Sequence, residues 1–425
     1  MLAHAQRLTQ SKFARNVAIV ASGTAGAQAI TLAFTPIITR LYSPEAFGVL
    51  GTFTSILVVL APVAALSYPI AIVLPKRDVD AVGLAELSIG IAVAMSLLVS
   101  LILMLFKAPI VNTFNLQAVE PFILLLPLAM LFSAAMAVMS QWVIRKKLFK
   151  LKAKVAVLQA LWINSAKAGI GLFSPLSAVL IVLATLGSAL HALMLWAAVR
   201  KSSDGQMEVA KQSKDTDSPG RALAWRHRDF AYYRTPQIML NAASESMPVL
   251  MLASFFGPAA AGFYALAKMA LVVPSQLIGQ SVADVFYPKF VETLHDGKNG
   301  KSIILKACIS LLVIGVFPYL IIVFTGPVMF SFIFGSTWEM SGSYSQWMAV
   351  WLLVVMVSRP IISTIPVLGL QKQFLIFEVL ALAIRGAAIF IGYAFFASAI
   401  SAVAFFSLAN VAIYVFLTVY VISRT

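Results

Sequence analysis

Cysteine is nearly absent from this 425-residue chain, which has only Cys308. A single thiol can neither close an intramolecular disulfide nor assemble a thiolate metal cluster. Histidine is almost as scarce: His4, His191, His227 and His295 are scattered without metal-ligand spacing, so no metal site is expected. There is no Walker-type phosphate loop, which argues against ATP as a direct energy source and leaves no cofactor to assign. Charge is the largest shortage, at 11% of residues against 61% hydrophobic. An ordinary soluble domain carries about 25% charged residues. A chain this apolar cannot cover its outside with charge, and the solvent it suits is lipid.

The charge that remains is mostly positive, with a formal net of +15. Its placement separates a nucleic-acid partner from a topology signal. A helix needs roughly 20 apolar residues to cross the hydrocarbon. On that criterion twelve spans are expected, at 16–39, 47–74, 82–106, 121–144, 152–173, 176–199, 233–256, 260–287, 302–325, 344–369, 374–397 and 399–422. With the N-terminus inside, the loop lysines and arginines fall on the cytoplasmic side, except Arg40 and Lys107. This is the positive-inside pattern. The basic excess is therefore a topology signal with attraction to anionic headgroups, and no nucleic-acid partner is expected.

The longest polar stretch, KSSDGQMEVAKQSKDTDSPGR at 201–221, reads as a flexible cytoplasmic linker. It leaves a six-span lobe at 1–200 and a second at 222–425, parallel repeats about an axis along the membrane normal. The expected fold is thus all-α and polytopic, with two six-helix lobes related by a pseudo-two-fold axis and both termini cytoplasmic. Internal likeness supports the duplication. The turn LYSPEAFG at 41–48 and the stretch FFGPAAAG at 255–262 each place a glycine four residues after a proline. Pro62 then answers to Pro274, and Pro75-Lys76 to Pro288-Lys289.

The run TPIITRLYSPEAFGVLGTF, closed by AIVLPKRD, resembles the polysaccharide flippases of the O-antigen and capsule export type. So do FFGPAAAGFYALAKMALVVPSQLIGQSVADVFYPKF and FGSTWEMSGSYSQWM with GLQKQ in the second half. These flippases belong to the multidrug/oligosaccharidyl-lipid/polysaccharide exporter superfamily. The resemblance covers nearly the whole chain and rests on the order of its motifs. It implies two lobes facing a central cavity, in the inner membrane of a bacterium. It also implies alternating-access transfer of an undecaprenyl-diphosphate-linked oligosaccharide to the periplasmic leaflet, with no bond made or broken. The expected partners are that lipid-linked oligosaccharide, the bilayer and the polysaccharide polymerase or assembly machinery.

Charges at membrane depth are costly and commonly face a bundle interior or a wet cavity. Lys167, Lys268, Arg359 and Arg385 are the deep bases and the candidates for a diphosphate. Arg359 precedes Pro360, where a helix is expected to bend and free carbonyls. The plainer alternatives are that Lys167 snorkels to headgroups and that Glu245 neutralises Arg385 or Lys268 as a structural pair. Glu245, with Asn241 one turn earlier, is equally a candidate coupling-ion site. Glu378 reads as interfacial. Gln28, Asn164, Asn241, Gln276 and Gln280 are polar cavity candidates, with helix-to-helix hydrogen bonding as the alternative for each. Two other functions stay open: export of small amphiphiles or drugs on the same architecture, and a polytopic glycan polymerase or ligase. The deep bases weigh against the first, and the short outer loops against the second.

Overall fold

A computed structural model describes residues 2–202, 220–295 and 300–424, without the side chains of 2–18, of 221 and of several residues between 273 and 295. The described residues form helices with no strand. Nine helical stretches among them are long and apolar enough to cross a membrane. The expected spans 16–39 and 260–287 fall within two further helices, Leu2–Leu41 and Pro258–His295, and 152–173 overlaps a third, Phe149–Gly171, running two residues past its end. In chain order these are Leu2–Leu41, Phe149–Gly171 and Pro258–His295. The second of these is diluted by Lys150, Lys152, Lys154 and Lys167.

Contacts divide the chain into two compact units. One comprises Met1–Tyr42 with Thr52–Ser246, the other Ser43–Gly51 with Met247–Thr425. One boundary between these units falls inside a helix, Thr235–Phe256, while 203–219 of the expected linker lie outside the described residues.

In the first unit, α1 (Leu2–Leu41) lies along α5 (Phe149–Gly171), and α4 (Leu126–Arg145) packs on α6 (Ser177–Arg200) and α3 (Asp78–Thr113). α3 kinks at Phe106, three residues before Pro109, whose ring and missing N–H disturb the turn behind it. α2 (Pro44–Ala64) stops well short of the expected end of its span at 74. Leu66 and Ser67 adopt left-handed φ values of 46° and 56°, and a 3₁₀ segment, Tyr68–Val73, follows with Pro69 in its first turn. Side chains rarely adopt that conformation unless the surroundings impose it. Here Ala65, Ser67, Tyr68 and Ile72 are all buried. The end of the segment is held by Arg145, whose Nη1 donates to the carbonyls of Ile72 (3.1 Å) and Pro75 (2.7 Å). Asp78 binds Arg145 and Lys146 in turn, at 2.9 and 2.6 Å.

A short helix α7 (Gly220–Arg226) leads to a π-helical turn, Phe230–Arg234, and then α8 (Thr235–Phe256). The second unit continues with α9 (Pro258–His295), α10 (Lys301–Phe334), α11 (Glu339–Val357), α12 (Arg359–Thr364), α13 (Gln371–Phe396) and α14 (Ala399–Ile422). Its core gathers Tyr264, Trp338, Tyr344, Met348 and Phe406, with Phe47 packed against it.

The two proline-to-glycine turns meet inside this unit. Pro44 and Pro258 each stand at a helix start, where a proline loses nothing by lacking an N–H. Gly48 faces Pro258 and Gly262, and Gly262 faces Pro44 and Gly48. Two backbones can approach this closely only where neither carries a side chain. Glu45 is exposed in the first turn of α2, where a carboxylate suits the helix dipole.

Candidate functional site

α11 ends at Val357 and a new helix starts at Arg359, so the continuous span read at 344–369 is broken in its middle. Pro360 cannot donate a backbone hydrogen bond, and the chain turns there, as the Arg359-Pro360 pair predicts. Ser358 steadies the break. Its Oγ donates to the Val354 carbonyl at 2.8 Å and shares a 3.2 Å hydrogen bond with the Thr418 hydroxyl of α14. Arg359 is half-buried at this point, and among the described residues its guanidinium makes no hydrogen bond and no ion pair. It lies near enough to the Tyr414 hydroxyl to interact with it electrostatically.

Arg385 has a different setting. It is 6% exposed, and its Nε donates to Asn410 Oδ1 at 2.9 Å. Asn410 Nδ2 donates to the Phe406 carbonyl at 2.8 Å, which fixes the amide with its oxygen toward the guanidinium. Glu378 Oε2 lies 3.6 Å from Arg385 Nη1, and the Tyr414 ring centroid lies 5.8 Å from the guanidinium carbon. A buried charge persists only when paired and hydrogen-bonded, and Arg385 is both. Glu378, on the same helix, is thus one carboxylate partner of Arg385. Residues 378 and 385 are seven apart, two turns on one helix face.

The other candidates separate by burial. Lys167 of α5 is half-buried, with no hydrogen bond or ion pair from its ammonium among the described residues. Its own carbonyl accepts from the Tyr42 hydroxyl at 2.9 Å. Lys268 of α9 is half-buried and partnered. Glu245 and Asn241 are exposed on α8, and Glu245 is engaged as well. Asn164 is buried, donating to Thr31 Oγ1 (3.2 Å) and to the Ala160 carbonyl (2.7 Å), so it joins α5 to α1. Gln28 is half-buried on α1. The side chains of Gln276 and Gln280 lie outside the described residues. No cluster of three metal-ligating side chains occurs among the described residues.

α13 and α14 also border a half-open cavity of about 180 Å³ lined by Leu370, Phe374, Phe377, Leu380, Phe416 and Tyr420. Phe374, Phe377, Phe416 and Tyr420 stack in sequence along it. Such a lining suits hydrocarbon and offers a sugar almost nothing to bond.

Comparison with known proteins places this arrangement. The family profile described as "Polysaccharide biosynthesis protein" matches residues 37–343. A curated relative, the succinoglycan biosynthesis transport protein ExoT of Rhizobium meliloti (strain 1021), is 22% identical over 325 residues, 75% of this chain. The match spans 61% of that relative's own length. Among solved structures, the lipid II flippase MurJ in an inward closed conformation superposes with TM-score 0.71 at 14% identity, covering 95% of this chain and 87% of that one. An inward-facing multidrug resistance MATE family transporter of the MOP superfamily gives 0.68 at 13% identity, covering 93% and 94%. The chain belongs to the polysaccharide biosynthesis protein family and has the all-helical fold of the membrane transporters of the MOP superfamily.

Proposed function

We propose that this protein is a flippase that carries an undecaprenyl-diphosphate-linked oligosaccharide from the cytoplasmic to the periplasmic leaflet of a bacterial inner membrane, by alternating access. In this reading the chain has twelve spans in two similar six-helix lobes, joined through 201–221, with both termini in the cytoplasm. The product would reach the side where a polymerase or other assembly machinery consumes it.

The observation that carries the proposal is Arg359, a guanidinium with no hydrogen bond or ion pair among the described residues, beside a broken helix within a stretch long and apolar enough to cross a membrane. An arginine in low dielectric is costly without an anion, and a diphosphate presents several acceptor oxygens to its planar fork. Lys167 is a second cation with no hydrogen bond or ion pair among the described residues. The family match and the MurJ-like and MATE-like folds support transport, and the cations favour an anionic cargo over a cationic drug.

The test is transport in vesicles of purified protein, loaded with a fluorescent lipid diphosphate carrying the host's own repeat unit. Protein-dependent appearance of the glycan in the opposite leaflet is expected. Transport of a cationic amphiphile with none of the lipid-linked glycan would instead select the drug-export alternative.

A further inference from the structure

The π-helical turn Phe230–Arg234 stands where the seventh span begins, and its cause can be named. The Thr235 N–H reaches back to the Phe230 carbonyl, one residue farther than in an α-helix. The Thr235 hydroxyl lies 3.1 Å from the same carbonyl and shares a 2.9 Å hydrogen bond with the Ser67 hydroxyl. Thr235 and Ser67 are both buried, and Ser67 is one of the left-handed residues that end α2. Two further contacts clamp the segment before the turn. The Tyr68 hydroxyl donates to the Ala224 carbonyl at 3.0 Å, and Leu223 fills the space that a side chain on Gly83 would need. The turn is thus a built feature of the first unit, and its hydrogen bonds hold it in place.

Its result is to turn Tyr232 and Tyr233 outward, 67% and 75% exposed. Arg234 is exposed beside them and donates to Gln237 Oε1 at 2.9 Å. Below them Gln237, Asn241 and Glu245 are also exposed, at four-residue spacing, so they continue one face of α8. A guanidinium and two amides in line along a membrane span cannot face hydrocarbon without heavy cost. Such a face suits a wet path, and it starts at two tyrosine rings. Tyrosines serving only as an interface belt need no polar column beneath them, since such rings sit at headgroup level above apolar neighbours.

We infer that Tyr232, Tyr233, Arg234 and Gln237 form a carbohydrate-binding platform that receives the oligosaccharide of the lipid-linked substrate at the cytoplasmic end of α8. The inference rests on the flippase reading for the identity of that substrate. Sugar rings offer an apolar C–H face to an aromatic ring, and their hydroxyls pair with amide and guanidinium groups of the kind found here.

The test has two arms, each run on wild type, Tyr232→Ala/Tyr233→Ala and Gln237→Ala, with melting curves to verify folding. In the first, the full-length protein in lipid nanodiscs is titrated with free repeat-unit oligosaccharide released enzymatically from the host's polysaccharide. The double variant is expected to bind roughly tenfold more weakly, the worth of the ring surface a sugar would cover. Loss of one hydrogen-bonding amide in Gln237→Ala should cost roughly three- to tenfold. Binding equal to wild type in both variants overturns the platform. Gln237→Ala keeps the test decisive if the tyrosine variant unfolds.

In the second arm, vesicle transport of undecaprenyl diphosphate bearing the full repeat unit is compared with the same lipid bearing one sugar. Selective slowing of the full unit supports the platform. Equal slowing of both lipids, or a loss that follows anionic lipid content, assigns the tyrosines to the membrane interface and overturns it. If wild type moves neither lipid, the flippase reading falls, while the nanodisc arm still decides whether the platform binds glycan.

Discussion

Replacing Gly48 with alanine would set a methyl group 2.5 Å from the Pro258 carbonyl carbon, closer still to its oxygen, and 3.0 Å from the Gly262 nitrogen. Ordinary contact begins near 3.4 Å. All these neighbours are backbone, so no flexible side chain can swing aside. The helices α2 and α9 would have to part by more than about 1 Å, and a gap of that size forfeits a good share of the dispersion attraction along the contact. Phe47 would be pulled from Trp338, now edge-on at 5.0 Å, and Gly51 from Ala265 and Val249. Overpacking of this kind costs about 1–3 kcal/mol, and a backbone-to-backbone clash belongs at the upper end. Gly262→Ala meets the reciprocal obstacle, 2.9 Å from both the Gly48 nitrogen and the Pro44 carbonyl carbon. Once one methyl has separated the helices the second finds part of its room made. The double variant should therefore lose less than the sum of the singles. Thermal or denaturant melts of detergent-solubilised protein measure this, with Gly90→Ala and Gly169→Ala as controls. Those two helical glycines have nothing within 4 Å of an added methyl, and alanine there should stabilise by up to about 1 kcal/mol. If Gly48→Ala melted with the controls, the packing argument would be wrong.

The two arginines of the second unit should respond in opposite ways. Arg385→Ala strands Glu378 and the Asn410 oxygen in a buried site and should cost about 3 kcal/mol of stability. Arg385→Met with Glu378→Gln should recover much of it, and a melt showing no coupling between the two would refute the pairing. Arg359→Ala removes a side chain with no hydrogen bond or ion pair among the described residues, so its melt should stay within about 0.5 kcal/mol of wild type while vesicle transport of the lipid-linked glycan is lost. Normal transport would exclude Arg359 from the substrate path. His227, in the segment before the π-turn, is held below its ordinary 6.5, first by burial and then by Arg226, with Asp80 opposing. The folded segment thus binds its proton less readily than the unfolded chain. The contribution is present above about pH 6.5 and fades as pH falls through the folded value. Hydrogen exchange of residues 220–229 should quicken in mildly acidic buffer, and Asp80→Asn should lower the histidine pKa further by NMR titration. A rise on Asp80→Asn would contradict the sign.

Apolar runs mark the helices well, because a span must satisfy its backbone internally whatever its neighbours are. The break at Arg359-Pro360 was readable for the same local reason, since a proline announces its missing donor in one residue. Helix rotation carries no such mark. Nothing in a single sequence says that Arg385 turns toward Asn410 and Glu378, although their seven-residue spacing made Glu378 reachable. Asn164 could equally have faced a cavity, and only the position of Thr31 on α1 shows that it holds two helices together. The π-turn was out of reach, because it depends on Thr235 meeting Ser67, 168 residues earlier in the chain. The stop in α2 was missed as well. Pro69 was visible, but the left-handed Leu66 and Ser67 depend on burial that sequence does not display.

The repeated turn illustrates what a sequence repeat does and does not establish. Matching Pro-x3-Gly stretches at 44–48 and 258–262 were a sign of duplication, and the alanine replacing Glu45 in the second copy argued against shared chemistry. In the structure the two copies pack on each other, each glycine against the other's proline and glycine. A requirement for two bare backbones at one contact accounts for glycine in both places without any appeal to substrate. The same economy applies to the polar residues. Asn164, Asn410 and Arg385 are buried and satisfied by protein, so folding alone explains them. Arg359, with no hydrogen bond or ion pair among the described residues, and the exposed Tyr232, Tyr233 and Asn241 are not explained by packing in this way. Groups that a membrane protein keeps unburied and polar at depth are the ones for which a ligand is the better explanation.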